Sequence, residues 1–229
     1  MVQNAVSAAL DAEAAALLSV AAGLTDADLD QASPCPPWTV GELECHVLIG
    51  ASRIGPALAE PQRSDGPLIS TAEYYRRDQR FSANTNADRI ESARALARRL
   101  SGPGEIAAEL DRRCHESAEL LAAAPAGRTV ITRHGDRMLL SDFARTRVVE
   151  LAVHGLDLAQ GVSRPPWLTS EAADVLEDLL LPAGGSSQLC RDLGCDRVGL
   201  IARLTGRTSL SHAEQQVLSE AGIPRLVFG

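Results

Sequence analysis

Apolar residues recur at intervals of three and four along most of this chain, which is the spacing of the buried face of an α-helix. Comparable spacing predicts further helices at about 40–58, from 71 onwards, and at 87–100, 105–124, 142–161, 169–181 and 211–221. In the first helix, over residues 4–23, the apolar positions are Val6, Ala9, Leu10, Ala14, Leu17 and Leu18. Two short apolar segments flank His134-Gly135-Asp136 and predict a short hairpin or two extended arms. The pattern therefore indicates a mainly α-helical protein.

Start and stop signals divide these helices into a large group and a small one. Thr39 and Glu42 have the spacing of a capping box, which begins the helix at residue 40. The run Pro165-Pro166-Trp167 interrupts the helical pattern after residue 161. We therefore expect a bundle of four long helices over residues 1–161 and a small, mostly helical C-terminal extension over residues 165–229.

Composition and charge argue against several classes of function. The chain has 229 residues, of which 45% are hydrophobic, and its formal net charge is −8. Nucleic acid is not an expected partner, because phosphate contacts require a basic surface. No apolar run approaches the roughly 20 residues that cross a bilayer, so no membrane segment is expected. The five cysteines are odd in number and lack paired spacing, which favours a reducing compartment and hence the cytoplasm.

One predicted helix carries ionisable residues inside an apolar stretch. Glu150 and His154 lie four residues apart and Asp157 lies three further on, so a helix places all three on one side. Two explanations stay open: these groups pair with one another and with Arg147, or they bind a cation. A catalytic zinc ion takes three protein ligands and keeps one position open. A zinc site would therefore need a further ligand from elsewhere in the chain.

His46 is the best candidate for that further ligand. It lies on the apolar side of the helix predicted over 40–58, and a bundle can bring that side against Glu150 and His154. Two imidazoles and one carboxylate match the ligand set of catalytic zinc sites. Asp157 could orient His154 by accepting a hydrogen bond from its ring, or could form an ion pair or helix cap instead. The alternative is that both histidines are ordinary core residues.

Two motifs that lie far apart in the chain add a family resemblance. The first is Cys35-Pro36-Pro37-Trp38-Thr39-Val40-Gly41-Glu42-Leu43, followed by His46. The second is Arg147-Val148-Val149-Glu150, followed by His154-Gly155-Leu156-Asp157-Leu158. In this order they resemble the mycothiol-dependent maleylpyruvate isomerase family, whose members are DinB-like four-helix bundles. The resemblance implies a divalent metal, most often zinc, bound by His46, Glu150 and His154.

The resemblance also implies a chemistry. Characterised members of the family use the metal to activate mycothiol or a similar low-molecular-weight thiol. The thiolate would isomerise, or be transferred to, an electrophilic small molecule. The family isomerase has an arginine after the second helix, and the spacing from His46 matches it to Arg76, with Arg77 and Arg80 as rivals. The alternative for these arginines is a solvated basic helix face.

The C-terminal extension departs from the isomerase. The chain after Pro165 is shorter and more helical in pattern than the sterol-carrier-like domain expected there. Maleylpyruvate and mycothiol are therefore not established as the substrate and the thiol. We expect a small-molecule electrophile and a small thiol as partners, and a monomer or a homodimer. A binding protein that sequesters or regulates, and a hydrolase that uses zinc-bound water, are the alternative functions.

One further cluster and one cysteine are also candidates for a functional site. Asp111, His115 and Glu119 follow one another at intervals of four and form a competing candidate for metal binding. The charged helix around them favours a solvated surface instead. Cys35 lies in a proline-rich connector and could lie near the site, but a packing role is favoured.

Overall fold

The computed structural model describes residues 2–61, 65–76, 78, 81–182 and 185–226. The first half of the chain forms α1 (Val2–Ala21), α2 (Asp26–Leu29), α3 (Val40–Ala51), α4 (Ile54–Ala59), α5 (Thr71–Tyr74), α6 (Ala83–Ala97) and α7 (Pro103–Ala123). Two strands follow, β1 (Thr129–Ile131) and β2 (Arg137–Leu139). The remaining helices are α8 (Leu140–Gly161), α9 (Ser170–Leu180), α10 (Ser186–Leu193), α11 (Arg197–Leu204) and α12 (His212–Glu220).

The four long helices α1, α3, α7 and α8 form the bundle. α1 packs against α7 and α8, and α3 packs against the same two helices. α6 lies against α3, and α5 lies against α8. The mainly α-helical fold and the DinB-like helical bundle predicted from the sequence are confirmed.

The helix predicted over 40–58 is interrupted in the structure. The capping box is present, because Thr39 accepts a hydrogen bond from the Glu42 backbone and the Glu42 carboxylate accepts one from the Thr39 backbone. α3 nevertheless ends at Ala51, and α4 begins at Ile54. Pro56 explains the break, since it has no N–H to donate to the carbonyl four residues earlier, that of Ser52. The sequence already contained this signal.

α8 is the central helix of the fold. Sixteen of its 22 residues are buried, on all sides of the helix. It contacts α1, α3, α5 and α9, and a helix covered all round is a core helix. Three of its ionisable side chains, Arg147, His154 and Asp157, are buried and therefore require partners inside the protein.

The predicted hairpin precedes α8 directly. β1 and β2 pair antiparallel, with Thr129 opposite Leu139 and Ile131 opposite Arg137. The turn between them contains Gly135 at a φ of +84°, which glycine adopts without steric strain. α8 begins at Leu140, one residue after β2, so the hairpin holds the N-terminal end of the central helix.

The C-terminal extension packs directly on the bundle. α9 contacts both α1 and α8, and α11 contacts α9. At the start of α9, the backbone N–H and the hydroxyl of Thr169 both donate to the carboxylate of Glu13, at 2.9 and 2.7 Å. Glu13 lies on α1 and is fully buried. The division into separate domains at residue 165 stays a prediction.

α1 contains an apolar segment of the length that the sequence analysis did not expect to find. Gln3–Ala21 is long and apolar enough to cross a bilayer by length and composition alone. In the structure this helix packs against α7, α8 and α9, with its apolar face in the core. Burial against other helices accounts for its composition, because core helices share this property with membrane spans.

Candidate metal centre

His46 on α3 meets Glu150 and His154 on α8. The Nε2 atom of His46 lies 3.8 Å from Oε2 of Glu150, and Nε2 of His154 lies 3.6 Å from the same oxygen. The two imidazole rings meet edge to face, with their centroids 5.2 Å apart. One potential ligand atom from each residue thus lies within 4.8 Å of the other two. The structure brings together the three side chains that the sequence singles out.

This donor set fits a divalent metal such as zinc. Ligand bonds of about 2.0–2.1 Å in a tetrahedral site place neighbouring donor atoms roughly 3.3 Å apart. The two distances to Glu150 exceed that value by only a few tenths of an ångström, which small side-chain rotations can close. Two neutral imidazoles and one carboxylate leave a fourth position for another ligand.

Asp157 holds His154 in one orientation. Its Oδ2 atom lies 2.9 Å from Nδ1 of His154, in a buried contact. Because an ionised carboxylate can only accept, this hydrogen bond places the ring proton on Nδ1. The lone pair of Nε2 then faces Glu150 and is available to a metal. The structure thus supports the orienting role considered for Asp157 over a helix cap.

Arg207 from the C-terminal extension clamps the same carboxylate. Its Nη2 donates to Oδ2 of Asp157 at 2.9 Å, and its Nε donates to Oδ1 at 3.0 Å. Its Nη1 also donates to the carbonyl of Thr205, at 2.8 Å. Burial alone would raise the pKa of Asp157, but the hydrogen bonds from His154 and Arg207 outweigh it and hold that pKa below its usual value. Asp157 is therefore a permanent anion.

No sequence pattern singles out Arg207 as part of the site. It follows α11 in a Leu204-Thr205-Gly206-Arg207 segment, 50 residues from Asp157 along the chain. The only hint is Asp157 on α8, which lacks an arginine or lysine at helical spacing. Such a residue requires a cation from another element.

Arg147 does not neutralise Glu150 through an ion pair. Its guanidinium donates to the hydroxyl of Thr146 at 2.9 and 3.0 Å and to the carbonyl of Gly50 at 3.3 Å. It also lies 5.0 Å from the ring centre of Phe143. The pairing of Glu150 with Arg147 that the sequence left open is therefore absent from the described residues.

The charge of Glu150 is nevertheless stabilised from a distance. Burial would raise the pKa of its carboxyl group, but the positive charge of Arg147, the largest opposing contribution, lowers it below the usual value. Glu150 is thus an ionised carboxylate that faces two histidines. This is the state in which a carboxylate binds a metal.

His46 is held neutral by its surroundings. Its ring stacks on Trp38, with centroids 4.5 Å apart and planes inclined by 27°. Burial and the nearby ring of His154 lower the pKa of His46 to about 3. A neutral imidazole keeps the lone pair that a metal requires.

The three side chains open into a large cavity of about 950 Å³. Aromatic and proline residues form part of its wall, among them Pro37, Trp38, Tyr74 and Phe143. Its basic residues are Arg53, Arg89, Arg133, Arg147 and Arg207. A cavity of this size holds a small molecule together with a second one, and not merely a metal ion with water.

Of the arginines predicted to bind substrate after the second helix, the structure describes Arg76. Arg76 is exposed, its Nε donates to the carbonyl of Glu73 at 3.2 Å, and it is not among the residues that line the cavity. Arg80 and Arg77 lie outside the described residues. A substrate-binding role for Arg76 or Arg80 stays a prediction.

The other sequence candidates form no second metal site. His115 and Glu119 lie 3.3 Å apart but are 75% and 70% exposed, and with Asp111 they do not form a three-ligand group among the described residues. Cys35, His154 and Asp157 do form such a group. It shares His154 with the first site, and Arg207 already occupies its carboxylate.

Cys35 lies at the edge of the site as a protonated thiol. Its Sγ donates to Oδ2 of Asp157 at 3.2 Å. Burial, reinforced by the charge of Asp157, raises the pKa of Cys35 to about 12. Cys35 therefore acts as a hydrogen-bond donor beside the site, the alternative to the packing role that the sequence favoured.

Comparison with known proteins agrees with this architecture. The family model described as the mycothiol maleylpyruvate isomerase N-terminal domain matches residues 10–159, which include α3, α8 and all three candidate ligands. Comparison with curated proteins and with solved structures finds no match. The matched region covers well over half of the chain, from within α1 almost to the end of α8. This chain therefore belongs to the mycothiol maleylpyruvate isomerase N-terminal domain family.

Proposed function

We propose that this protein is a zinc-dependent enzyme that activates a low-molecular-weight thiol such as mycothiol. The thiol would attack an electrophilic small molecule, and the outcome would be isomerisation or S-transfer. The observation that carries the proposal is the meeting of His46, Glu150 and His154 at the wall of a cavity of about 950 Å³. Family membership supports the choice of a mycothiol-like thiol.

The metal would supply one effect, the lowering of the thiol pKa from its free value of about 8.5, so that the nucleophilic thiolate predominates near neutral pH. The residues of this chain do the rest. Glu150 and the two neutral imidazoles provide a donor set with a single negative charge, which leaves a dication electrophilic. Asp157 binds Nδ1 of His154 and so leaves Nε2 as the ring nitrogen that faces Glu150. Trp38 stacks on His46 and restricts its ring.

The proposed reaction is an addition to an activated double bond. The sulfur forms a bond to one carbon, and the electron pair of the double bond moves to the electron-withdrawing group. Rotation and reversal of these steps yield the isomer and return the thiol. If a proton instead reaches the neighbouring carbon, the thiol stays on the product as a conjugate. A positive environment at the electron-withdrawing group favours both outcomes.

Location and assembly belong to the same proposal. The five cysteines are all unpaired in the structure, which is consistent with a reducing compartment such as the cytoplasm. We infer small molecules as the partners rather than nucleic acid or a membrane, and a monomer or homodimer as the working state.

Metal analysis tests the first half of the proposal. Purified protein is expected to contain about one zinc or other divalent ion per chain, and the double variant His46→Ala/His154→Ala to contain none. His115→Ala is the matched control, since it removes an exposed histidine from α7. Full metal retention in the double variant would overturn the assigned site.

Conjugate analysis by mass spectrometry tests the second half. Zinc-loaded protein is incubated with an activated cis-alkene or with an activated ester, each in the presence and in the absence of mycothiol. An S-transferase accumulates the conjugate above the uncatalysed rate, and an isomerase converts the alkene while the thiol is recovered. A pure binding protein does neither, and a hydrolase cleaves an ester without using thiol; either result would replace the proposed function.

A further inference from the structure

Two cysteines of the C-terminal extension meet at the end of α10. Cys190 lies in the last turn of α10, and Cys195 lies two residues before the start of α11. The backbone N–H of Cys195 donates to the carbonyl of Cys190 at 3.0 Å. The N–H of Gly194 donates to the carbonyl of Arg191 at 3.3 Å, and Gly194 is left-handed, with a φ of +59°. These two bonds form a Schellman motif, which closes the interval between the cysteines.

The motif determines which side chains face each other. The residues at the two ends of its longer hydrogen bond commonly make an apolar side-chain contact. Here those positions hold two thiols, which lie within hydrogen-bonding reach of each other. Standard bond lengths keep the two Cα atoms within about 7 Å, which is the upper limit for a disulfide. A disulfide between Cys190 and Cys195 therefore requires little movement of either helix.

Both thiols are also partly accessible. Cys190 and Cys195 are half-buried, whereas Cys45 and Cys114 are buried in the bundle, where burial raises their pKa values to about 12. Partial burial, and then the adjacent thiol and nearby carboxylates, raise the pKa of Cys190 as well. Cys190 is thus a thiol at neutral pH, and its exchange with disulfides accelerates as the pH rises.

A metal site is the alternative explanation for two adjacent thiols. Zinc takes three or four protein ligands. Among the described residues, no third histidine, cysteine or carboxylate joins Cys190 and Cys195 in a group of potential ligands. The two thiols are therefore placed to bond to each other rather than to share a metal.

We propose that Cys190 and Cys195 are a redox-active pair that exchanges reversibly with low-molecular-weight disulfides. One protein thiolate attacks the small disulfide, forms a mixed disulfide and releases one small thiol. The second protein thiol then displaces the other small thiol and closes the Cys190–Cys195 disulfide. Two electrons pass from the protein to the small disulfide, and the two protons end on the two released thiols. The pair depends on neither the metal centre nor the proposed reaction.

Closure of the disulfide fixes the junction between α10 and α11. The ring spans residues 190–195 and joins the last turn of α10 to the segment before α11. At its other end, α11 leads into the segment that carries Arg207, which donates to Asp157. Because a crosslink removes conformations from the unfolded chain, we expect the oxidised protein to melt roughly 2–8 °C above the reduced protein. Oxidation thus restrains the element that carries Arg207.

Peptide mapping after exposure to a glutathione redox buffer tests the pair. The full-length protein is incubated with submillimolar reduced and oxidised glutathione, quenched by alkylation and digested with trypsin. Trypsin cleaves after Arg191, between the two cysteines, so the disulfide leaves two peptides joined. The second thiol acts at an effective concentration far above that of glutathione. We therefore expect the joined peptides to exceed glutathione adducts of these two cysteines at least about tenfold, and dithiothreitol to separate them again.

Single variants assign the linkage to the pair. Cys190→Ser and Cys195→Ser should each abolish the joined peptides and leave a glutathione adduct on the remaining cysteine. Cys114→Ala is the matched control, because Cys114 is buried in the core and its loss should leave the linkage unchanged. Circular dichroism confirms folding, and the peptide map of the unaltered chain keeps the test valid if a variant fails to fold.

The outcome separates the redox pair from the proposed function. Glutathione adducts on both cysteines without linkage, no reaction of either cysteine, or linkage to a different cysteine would each overturn the pair. Equal melting temperatures of the oxidised and reduced proteins would overturn the restraint on α11. A chain that binds no metal and has no thiol-dependent activity, yet forms the joined peptides, would remove the proposed function and leave the redox pair in place.

Discussion

The bundle and the C-terminal extension contribute to the candidate site in different ways. The bundle supplies the three potential ligands from two helices, and the family match ends at residue 159, near the end of α8. Among the described residues, the extension contributes the side chain of Arg207, which reaches the site from the segment after α11 and donates to the carboxylate behind His154. The three candidate ligands thus lie in the family domain, and the extension contacts the carboxylate that orients one of them.

The bundle and the extension are also joined by packing and by a buried hydrogen bond. α9 packs against α1 and α8, and Thr169 holds the buried carboxylate of Glu13. An extension that merely covered the bundle would not place polar groups in its core. The two regions therefore differ in that the bundle provides the candidate ligands and the extension supports them. The extension is not a separate tail.

The strongest test of this contrast compares two core leucines, Leu151 on α8 and Leu200 on α11, both at most 1% exposed. Replacement of either by alanine is expected to lower the free energy of unfolding by about 2–5 kcal/mol through loss of buried contacts and formation of a cavity. Because the extension packs on the bundle, both variants should lower one shared thermal transition, measured by calorimetry. Leu68→Ala, at a position 45% exposed, is the control. A Leu200→Ala protein whose bundle still melts at the original temperature would show two independent units.

The second test compares two buried carboxyls of the bundle. Thr169 of the extension donates to Glu13, whereas Oε2 of Glu44 has no hydrogen-bond partner among the described residues. Burial raises the pKa of Glu44 from 4.5 to about 7. The unfolded chain therefore releases this proton at a lower pH than the folded protein does. Stability is lost as the pH rises between those two values, and is unaffected below about 4.5.

Glu44→Gln should remove that loss. Relative to the parent, the variant is expected to gain stability as the pH rises, reaching about 3 kcal/mol above pH 7 at roughly 1.4 kcal/mol per pKa unit. Urea unfolding at pH 4, 5.5 and 7.5 measures the difference. A constant difference between variant and parent across this range would contradict the predicted ionisation.

The third test concerns Arg207 itself. Arg207→Gln removes the paired hydrogen bonds to Asp157 and loosens His154, so zinc affinity is expected to fall about 10–100-fold, as for other groups that support metal ligands. Competition with a chromophoric chelator measures the affinity, and Arg207→Lys should restore part of it. Arg197→Gln is the control, since it breaks ion pairs within the extension far from the ligands. Unchanged zinc affinity would show that Arg207 has only a packing role.

The smallest expected effect belongs to Thr169. Thr169→Ala removes the hydroxyl that caps α9 and that donates to Glu13, at a cost of about 1–2 kcal/mol in unfolding free energy. Thr169→Ser keeps the hydroxyl and should retain most of the stability. Equal losses in both variants would show that the methyl group matters and the hydrogen bond does not.

The helices and the ligand donors were accessible from sequence because both depend on local spacing. The intervals between Glu150, His154 and Asp157 place them on one side of a helix before any tertiary contact is known. The interruption before α4 was equally accessible through Pro56, although the long apolar pattern of 40–58 obscured it. The hairpin ahead of α8 follows from its turn residues in the same way.

The partners of these residues were not accessible in this way. Arg147 stands three positions from Glu150, which suggests an ion pair, yet packing turns it towards Thr146 and Gly50. Arg76 was favoured by its distance from His46 along the chain, whereas the arginines that line the cavity are Arg53, Arg89 and Arg133 among others. The direction of a side chain inside a bundle depends on the neighbouring helices, so it cannot be predicted from spacing along one helix.

The sequence by itself determined the helical class, the capping of α3 and the candidate ligand set, because period, caps and donor chemistry are properties of short segments. Only the tertiary structure decided that Arg207 supports Asp157 and that arginines from several elements share one cavity with the candidate ligands. Those contacts join elements distant in the chain, and their geometry arises only when the helices pack.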